Sequence, residues 1–276
     1  MDLNMLLQPL LKWAGGKRQL LGELIRHLPS HYDRYCEPFF GGGALMFELT
    51  PACALINDIN QDLINFYIQL KKHPDKLLQI LNSFEVSKEA YLEIRNADRD
   101  VENFAKLSPI YKAARTFYLN RYCFNGLYRV NKKGFFNVPF NNAKKQYDLP
   151  IDLYYGISNY LNEHDITITS KNYLKLEKEF KEGDFVYFDP PYDLVEKYSF
   201  TDYSNSSFKT QEQIELKQLC DRLSEKNIKF MLSNSATDFI KEIYKDYNVN
   251  IVSATRIINS KVSGRGAVEE VIVTNY

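Results

Sequence analysis

The sequence predicts an α/β fold in which a mostly parallel β-sheet, with an antiparallel last strand, is interrupted by a mostly helical insert. Three observations support this prediction. Short apolar runs typical of buried strands alternate with helical spacings in 1–72 and again in 165–276. The segment 73–164 loses that alternation and is dominated by helical patterns. The last two expected strands are joined by a loop rather than by a crossover helix, which favours antiparallel pairing.

In the first part of the chain, each element follows from a local pattern. Leucine and isoleucine recur every three or four residues in 18–28, which predicts a helix. The short strand expected at 35–37 runs into a turn rich in glycine, after which 44–49 resumes as a helix. A second buried strand is expected at 53–58, and a helix at 61–72.

After the insert, the apolar run 184–188 is expected to be a buried strand that ends where two prolines follow. The amphipathic spacing of 211–226 predicts a helix, and the apolar run 228–232 predicts the next strand. The remaining expectations are a helix at 237–247 and strands at 250–254 and 268–274.

Length and composition limit the possible classes of protein. The 276 residues suffice for a main domain (1–72 and 165–276) that carries an inserted domain (73–164). No apolar run approaches the roughly 20 residues of a membrane span, and the first residues lack a basic leader and a cleavage site, so we expect a cytoplasmic protein. Four widely separated cysteines without a CxxC pair argue against a disulfide framework, and we expect no metal site.

A glycine-rich turn between two expected strands points to a ligand. The segment 37–43 joins a strand to a helix, and Asp58 ends the following strand. Glycines let the backbone approach a ligand, a carboxylate there can bind ribose hydroxyls, and ligands of parallel sheets bind at the carboxyl ends of the strands. The pattern is not GxGxxG, so a dinucleotide is not specifically indicated. By itself, this pattern is as consistent with a purely structural turn as with a turn that binds a ribose-containing ligand.

A second motif directly follows the run 184–188, where Asp189, Pro190, Pro191 and Tyr192 come in succession. Two prolines fix the backbone φ angle and remove N–H donors, which leaves a rigid corner that presents a carboxylate, a carbonyl oxygen and an aromatic ring together. An amino group on an aromatic base could donate its hydrogens to Asp189 and to the Pro190 carbonyl while Tyr192 stacks on the ring. The corner therefore favours a functional site over a structural turn.

The insert contains a segment, 111–145, that has no acidic residue and is rich in basic, aromatic and asparagine side chains. Lysine and arginine can neutralise phosphates, arginine and asparagine can read base edges, and aromatic rings can wedge into a base stack. Because the whole chain has a formal net charge of +0, this local concentration favours a DNA-binding surface over a solvated basic face. A hairpin turn is expected at 131–134. The basic residues are Lys112, Arg115, Arg121, Arg129, Lys132, Lys133, Lys144 and Lys145.

Four blocks of the chain resemble, in the expected order, the DNA adenine methylase (Dam) family and its restriction-modification relatives of the DpnII type. The resemblance implies a Rossmann-like, class I S-adenosylmethionine-dependent methyltransferase sheet, with target recognition by the insert 73–164. It implies methylation of adenine within GATC in double-stranded DNA, with a restriction endonuclease of the same specificity as a partner in some members of the family. The sequence favours a monomer and leaves open whether such an endonuclease accompanies this chain. The blocks are 11–17, 37–43, 124–129 with 136–140, and 189–192.

The resemblance also implies roles for particular residues. Lys17 is suited to the carboxylate of S-adenosylmethionine and Asp58 to its ribose. Lys12 and Arg129 match positions that read guanine. The other implied cofactor contacts are Trp13, Phe39, Gly41, Asn172 and Asp189. The implied catalytic residues are Asp189, Pro190 and Tyr192. The remaining implied DNA contacts are Phe124 and Asn125, beside the displaced adenine, and Pro139, at a thymine methyl group.

The chain departs from the family pattern at two places. Asn172 precedes Tyr173 where many relatives have Asp-Phe, and the segment 141–143 replaces a frequent Gly-Arg-Tyr. We also expect the loop 196–208 to close over the flipped base, and Arg256 and Arg265 to meet phosphates. Two other functions have the same corner or the same insert: methylation of the exocyclic amine of cytosine, and DNA binding by a catalytically silent protein. A nicotinamide-dependent oxidoreductase is disfavoured by the corner and the basic insert.

Overall fold

A computed structural model describes residues 6–15, 17, 19–192, 208, 210–255 and 267–276. Within these residues the chain forms a single seven-stranded sheet flanked by helices. No helix among them is both long and apolar enough to span a membrane. Three of the sequence expectations lie outside the described residues, namely Arg256, Arg265 and all of the loop 196–208 except Phe208.

The sheet is mixed, with a parallel centre and an antiparallel end. Its strands are β1 (Arg34–Glu37), β2 (Cys53–Asn57), β3 (Asp165–Thr169), β4 (Asp184–Phe188), β5 (Lys229–Ser235), β6 (Asn248–Thr255) and β7 (Ala267–Thr274). Their order across the sheet is β3-β2-β1-β4-β5-β7-β6. The first five strands in this order pair in parallel, and β7 pairs antiparallel with both β5 and β6. The predicted mostly parallel sheet with an antiparallel last strand is confirmed.

The helices occupy the connections between strands and most of the segment 73–164. Many of them begin where the sequence supplies a capping side chain: Asn60 accepts a hydrogen bond from the Leu63 amide, and Ser108 accepts one from the Tyr111 amide. The α-helices of the described residues are α1 (Leu21–Arg26), α2 (Ala44–Leu49), α3 (Gln61–Lys72), α4 (Pro74–Ser83), α5 (Lys88–Asn96), α6 (Val101–Lys106), α7 (Pro109–Tyr122), α8 (Ile151–Glu163), α9 (Thr210–Glu225) and α10 (Asp238–Ile243).

Alternation along the strands divides the interior into two cores, one on each face of the sheet. Tyr35 and Phe185 point to the core formed with α1 to α5, α7 and α8, which we call the insert face. Cys36 and Val186, one residue farther along the same strands, point to the core formed with α9 and α10. The buried residues of 73–164 are thus continuous with one face of the sheet, and the division into two domains stays a prediction.

Some elements differ from the sequence expectations. Strand β3 was not expected; its alternation of Ile166 and Ile168 with polar residues is that of an edge strand. Helix α10 ends at Ile243 instead of continuing to residue 247, and α1 is shorter at both ends than 18–28. The expected turn at 131–134 is present, since the Gly134 amide donates to the Asn131 carbonyl at 2.9 Å and the flanking residues bridge antiparallel.

Candidate active site

Four acidic side chains lie along one edge of the sheet, at the carboxyl ends of the parallel strands. Glu37 ends β1, Asp58 follows β2 and Asp189 follows β4. Glu270 on β7 pairs with Ser235 at the end of β5, so the antiparallel strand brings it to the same edge. Strand alternation places all four on the insert face. We call this group the acidic edge.

Glu37 is the member of the acidic edge that ends β1. Glu37 is buried, and burial raises its pKa well above the ordinary value, against the opposing effect of a hydrogen bond that the Tyr35 hydroxyl donates to Glu37 Oε2 at 2.9 Å. The nearby carboxylates of Asp189 and Asp58 raise the pKa of Glu37 further. Sequence reasoning had identified Glu37 only as part of the glycine-turn motif.

The glycine turn is fixed by Asp58. The Gly41 amide donates to Asp58 Oδ2 at 2.9 Å, and the Asn60 amide donates to Asp58 Oδ1 at 2.9 Å. Gly41 and Gly43 have φ angles of 50° and 72°, in the left-handed region that favours glycine. Burial raises the pKa of Asp58, while the two amide donors lower it. The carboxylate and the turn therefore form one unit, with lone pairs of Asp58 available to a further donor.

Asn57, which sequence reasoning missed, joins this turn to the next strand connection. Its Nδ2 donates to the carbonyls of Pro38 and Lys171, each at 3.0 Å. Its Oδ1 accepts from the Lys171 amide at 2.8 Å and from Thr169 Oγ1 at 2.9 Å. Because Asn57 is buried, these bonds fix the glycine turn relative to the segment that carries Asn172.

Aromatic residues border the glycine turn on two sides. A Cβ atom on Gly41 would lie 3.1 Å from the Trp13 ring, so Trp13 packs directly against the turn. Phe39 lies among other rings, with its centroid 4.9 Å from that of Tyr173 and 5.7 Å from that of Phe208. Asn172 is exposed, and its Oδ1 accepts from the Leu174 amide at 2.9 Å, so this side chain caps a short 3-10 helix.

Lys17 connects the first sequence block to the proline corner. Its Nζ lies 3.0 Å from Asp189 Oδ1 and donates to the Gly15 carbonyl at 2.8 Å. The same ammonium lies 4.1 Å from the centroid of the Tyr192 ring, within the range of a cation–π contact. Lys17 is buried, so its positive charge acts at short range on both the carboxylate and the ring.

Asp189 is held by two donors in a mostly buried setting. Its side chain is 18% exposed, and Ser233 Oγ, on β5, donates to its Oδ1 at 3.0 Å. Ser233 in turn lies 2.9 Å from the Tyr187 hydroxyl. Burial raises the pKa of Asp189, whereas Lys17 and Ser233 lower it. Sequence reasoning missed Ser233, because only the sheet order places β5 beside the end of β4.

The two prolines differ in what their carbonyls contact. Buried Gln213 donates from Nε2 to the Pro191 carbonyl at 3.1 Å, and Asn234 Nδ2 donates to Gln213 Oε1 at 3.0 Å. For the Pro190 carbonyl, no donor is found among the described residues. The corner thus presents the Pro190 oxygen and the Asp189 carboxylate as the two acceptors next to Tyr192.

Tyr192 is held at its hydroxyl as well as at its ring. The hydroxyl donates to Glu270 Oε2 at 2.6 Å. Burial raises the pKa of Tyr192 well above its ordinary value, and Asp189, Tyr187 and Glu270 contribute in the same direction. The hydroxyl therefore stays protonated and acts as a donor at neutral pH. Sequence reasoning did not identify Glu270, although a carboxylate that shares a strand face with Ile272 is an unusual feature of the segment 268–274.

The five expected DNA contacts are exposed, and hydrogen bonds tie their segments together. The Phe124 amide donates to the Pro139 carbonyl at 2.8 Å, and Asn125 has a φ angle of 55° in the same turn. Arg129 Nε donates to Asn137 Oδ1 at 2.7 Å. Phe124 is 53% exposed, so much of its ring is accessible to a ligand outside the protein. We call Lys12, Phe124, Asn125, Arg129 and Pro139 the insert surface.

Lys12 joins the insert surface to the acidic edge. Buried Asn120 exchanges two hydrogen bonds with the Lys12 backbone, at 2.9 Å from its amide and at 2.7 Å to its carbonyl. The next residue, Trp13, packs on Tyr128 with ring centroids 5.3 Å apart. The short segment that begins at the exposed Lys12 therefore packs against the glycine turn through Trp13 and reaches the acidic edge at Lys17.

Three of the eight basic residues in 111–145 are partly or fully covered by the rest of the protein, which corrects part of the sequence interpretation. Arg115 is buried and pairs with Asp98, with 2.8 Å between Nη2 and Oδ2. Arg121 donates to the Leu10 carbonyl and lies over the Tyr147 ring at 4.4 Å. Lys112 donates to a backbone carbonyl at 3.3 Å. These side chains hold helices together, and the charge available to DNA is carried by Arg129, Lys132, Lys133, Lys144 and Lys145.

The chemistry of the acidic edge is that of acceptors and of one buried cation. Asp189 and the Pro190 carbonyl can accept hydrogens from a planar amine, Tyr192 offers a ring face, and Asp58 can accept from hydroxyl groups. Among the described residues, no group of three or more histidine, cysteine, aspartate or glutamate side chains has the arrangement of a metal site. The described site is therefore suited to binding and positioning a polar aromatic substrate.

Comparison with known proteins gives concordant results. The profile of the family described as D12 class N6 adenine-specific DNA methyltransferase matches residues 13–258. The Type II methyltransferase M1.LlaDCHI of Lactococcus lactis subsp. cremoris is 46% identical over 98% of this chain and 96% of its own length. The Type II methyltransferase M.MjaIII of Methanocaldococcus jannaschii is 35% identical over 98% and 99%, and the DNA adenine methylase of Escherichia coli K12 is 33% identical over 95% and 93%.

Proposed function

Because the chain belongs to the D12 class of N6 adenine-specific DNA methyltransferases, we propose that it transfers a methyl group from S-adenosylmethionine to an adenine flipped out of duplex DNA, at the corner 189–192. The observation that carries the proposal is the convergence of Lys17, Asp189 and Tyr192 beside the turn that holds Asp58. The family match favours adenine over the cytosine alternative. The intact Lys17, Asp58 and Asp189 argue against a catalytically silent protein.

The residues at the glycine turn fit S-adenosylmethionine by their chemistry. Asp58 offers carboxylate lone pairs to a ribose diol, and Lys17 offers an ammonium group to a carboxylate. Phe39 and the 69% exposed Ile59 offer apolar contact to an adenine ring. Asn172 accepts from the Leu174 amide, so it would contact that ring chiefly through its Nδ2 donor. When bound, S-adenosylmethionine supplies an activated methyl group on its sulfonium.

The acceptors of the corner account for activation of the amino group. The lone pair of an adenine amine is delocalised into the ring, which makes the nitrogen a weak nucleophile. Hydrogen bonds from that amine to Asp189 and to the Pro190 carbonyl favour a more pyramidal and more nucleophilic nitrogen. Ser233 and Lys17 lower the pKa of Asp189 against the larger raising effect of burial, which favours the ionised carboxylate, the stronger acceptor. Tyr192 holds the base by stacking, and positioning supplies the rest.

Flipping is required by the location of these groups. The amino group of a paired adenine lies inside the duplex, whereas Asp189 is only 18% exposed at the edge of the sheet. The insert surface is suited to the duplex that remains outside. Phe124 is exposed to enter the gap left by the base, with Asn125 beside it, while Lys12 and Arg129 carry donors that can read guanine. Pro139, next to Phe124, can contact a thymine methyl group.

The proposed target is GATC in double-stranded DNA, on the basis of the family resemblance and of the guanine-reading side chains of the insert surface. Two of the relatives are named Type II methyltransferases, which supports a restriction endonuclease of the same specificity as a functional partner. A cytoplasmic location and a monomeric state fit this function. The experiment is transfer of labelled methyl groups from S-adenosylmethionine to a duplex with one GATC site and to a matched duplex in which the site reads GTAC.

Label in N6-methyladenine on the GATC duplex alone, with protection from an endonuclease that methylated GATC blocks, is the expected result. Equal labelling of both duplexes would refute GATC but keep the reaction. Label in cytosine would refute the assignment of the base. Absence of label in the presence of measurable DNA binding would refute the proposed catalysis.

A further inference from the structure

The Tyr192 hydroxyl donates a hydrogen bond to Glu270, so Glu270 can fix the position of the Tyr192 ring. We propose that Glu270 is a positioning residue that fixes the plane of the Tyr192 ring on which the target base stacks. This proposal rests on the proposed function, because it assumes that Tyr192 receives a flipped base. The bond itself is short, with 2.6 Å between the Tyr192 hydroxyl and Glu270 Oε2, as is typical of a hydroxyl that donates to an ionised acceptor.

Glu270 lies on a paired strand of the sheet, whereas Tyr192 lies beyond the end of its strand. Strand β7 is bonded on both sides, and Glu270 pairs with Ser235 of β5 and with Val252 of β6. Tyr192 lies four residues beyond the end of β4, in the irregular chain after the two prolines. A side chain on a doubly paired strand can therefore help to fix the orientation of a side chain that lies outside the sheet.

The charge of Glu270 is difficult to explain by packing alone. Its side chain is buried on the insert face, where the next residue along the same face of β7 is Ile272. A buried carboxylate is unfavourable unless it is well bonded. It also opposes ionisation of Asp189 nearby. The Tyr192 hydroxyl donates to the buried carboxylate and offsets part of the free-energy cost of burying it. This hydrogen bond explains why position 270 is acidic.

The Tyr192 ring is fixed at two separate points. Lys17 Nζ lies 4.1 Å from the ring centroid, and Glu270 accepts from the hydroxyl at the far end of the ring. If the carboxylate is replaced by the neutral amide of glutamine, the charge-assisted bond becomes a weaker neutral one, and the hydroxyl gains more by turning toward water, which carries the ring out of its plane. Glu270 therefore orients the ring through the hydroxyl. In Tyr192→Phe that hydroxyl is absent, so Glu270 can no longer orient the ring.

The experiment is a double-mutant cycle on the full chain. Glu270→Gln, Tyr192→Phe and the double variant are compared with the wild type in single-turnover methylation and in the fluorescence of 2-aminopurine placed at the target position. Glu269→Gln is the matched control, because Glu269 is the adjacent but exposed carboxylate on the same strand. Glu270→Asp, which keeps the charge but withdraws the oxygens, is measured in parallel in case Glu270→Gln does not fold.

We expect Glu270→Gln to lower the single-turnover rate about tenfold and to change the fluorescence of the flipped base, with the KM for S-adenosylmethionine unchanged. In the Tyr192→Phe background the same substitution should lower the rate less than about twofold, and Glu269→Gln should have no effect. Equal losses in both backgrounds, or no loss in either, would overturn the role of Glu270. A wild-type chain that neither methylates nor changes the 2-aminopurine signal would refute the proposed function, and this proposal with it.

Discussion

Replacing Ser233 by alanine removes one of the two groups that lower the pKa of Asp189. Ser233 Oγ donates to Asp189 Oδ1 at 3.0 Å, and Lys17 remains after the substitution. A hydrogen bond to a charged group contributes about 1.5–3 kcal/mol. Because the Asp189 side chain is 18% exposed, water replaces part of the lost bond, and we expect an effect at the lower end of that range. About 1.4 kcal/mol corresponds to about one pH unit.

The direction of the effect follows from the state that the bond stabilises. Ser233 donates to the ionised carboxylate, so its loss raises the pKa of Asp189, which burial already raises. The acid limb of the profile of kcat/KM against pH should therefore move up by about one pH unit, and the rates of variant and wild type should approach each other at higher pH. The assay is methyl transfer to duplex DNA at constant ionic strength across the acid limb.

Ser158→Ala is the matched control for this prediction. Ser158 is also buried, and its Oγ donates to the Leu70 carbonyl at 2.8 Å, between α8 and α3 and away from Asp189. The control should lower stability similarly without moving the acid limb. If Ser233→Ala leaves the limb in place, or moves it to lower pH, ionised Asp189 is not the group that limits the rate and the reasoning is refuted.

Three further predictions test other parts of the site. Asp189→Ala should reduce turnover by about 100-fold or more, and activity within a few-fold of wild type would contradict the role of the corner. Arg115→Met should lower the free energy of unfolding in urea by about 1.5–3 kcal/mol, because Asp98 loses a buried charged donor and keeps only Arg99 and the Phe136 amide, whereas Lys133→Met on the surface should not. Arg129→Ala should reduce discrimination against duplexes with a substituted guanine by about 1–3 kcal/mol, measured as ratios of kcat/KM; unchanged ratios would remove it from base reading.

The parallel sheet was predictable because its central strands are short, continuous apolar runs. The run Asp184–Phe188 is buried at every position, and the two prolines after it mark its end. Strand β3 escaped prediction for the opposite reason, since it is an edge strand with only two apolar residues, Ile166 and Ile168. Its stability comes from pairing with β2, which is a tertiary contact that no local pattern reports.

The corner 189–192 was predictable because its residues are adjacent in sequence, but its support was not. Ser233 and Glu270 reach Asp189 and Tyr192 across 44 and 78 residues. The position of Ser233 depends on the pairing of β5 with β4, and that of Glu270 on the insertion of β7 between β5 and β6. The sequence indicates only that the last two strands pair antiparallel. The acidic residue on the apolar face of β7 was the one local signal that could have drawn attention to Glu270.

The basic segment shows where composition fails. Lys112, Arg115 and Arg121 have the same charge as the exposed lysines, but α7 packs its side chains on nearly all sides. Arg115 pairs with Asp98, which lies in a different helical segment, and Arg121 lies over the ring of Tyr147. A count of charges cannot distinguish side chains that bond to the rest of the protein from those that extend into solvent. Partners of each of these three side chains lie outside the segment 111–145, so the composition of the segment does not reveal them.

The central claim is that the adenine amine is methylated while it donates to Asp189 and to the Pro190 carbonyl. The most direct measurement is a crystal structure of the chain with a GATC duplex and an analogue of S-adenosylmethionine that cannot transfer its methyl group. The account predicts an extrahelical adenine stacked on Tyr192, with its amino nitrogen about 2.6–3.2 Å from both oxygens. An adenine that remains stacked in the duplex, or one bound with its amino group away from Asp189, would contradict it.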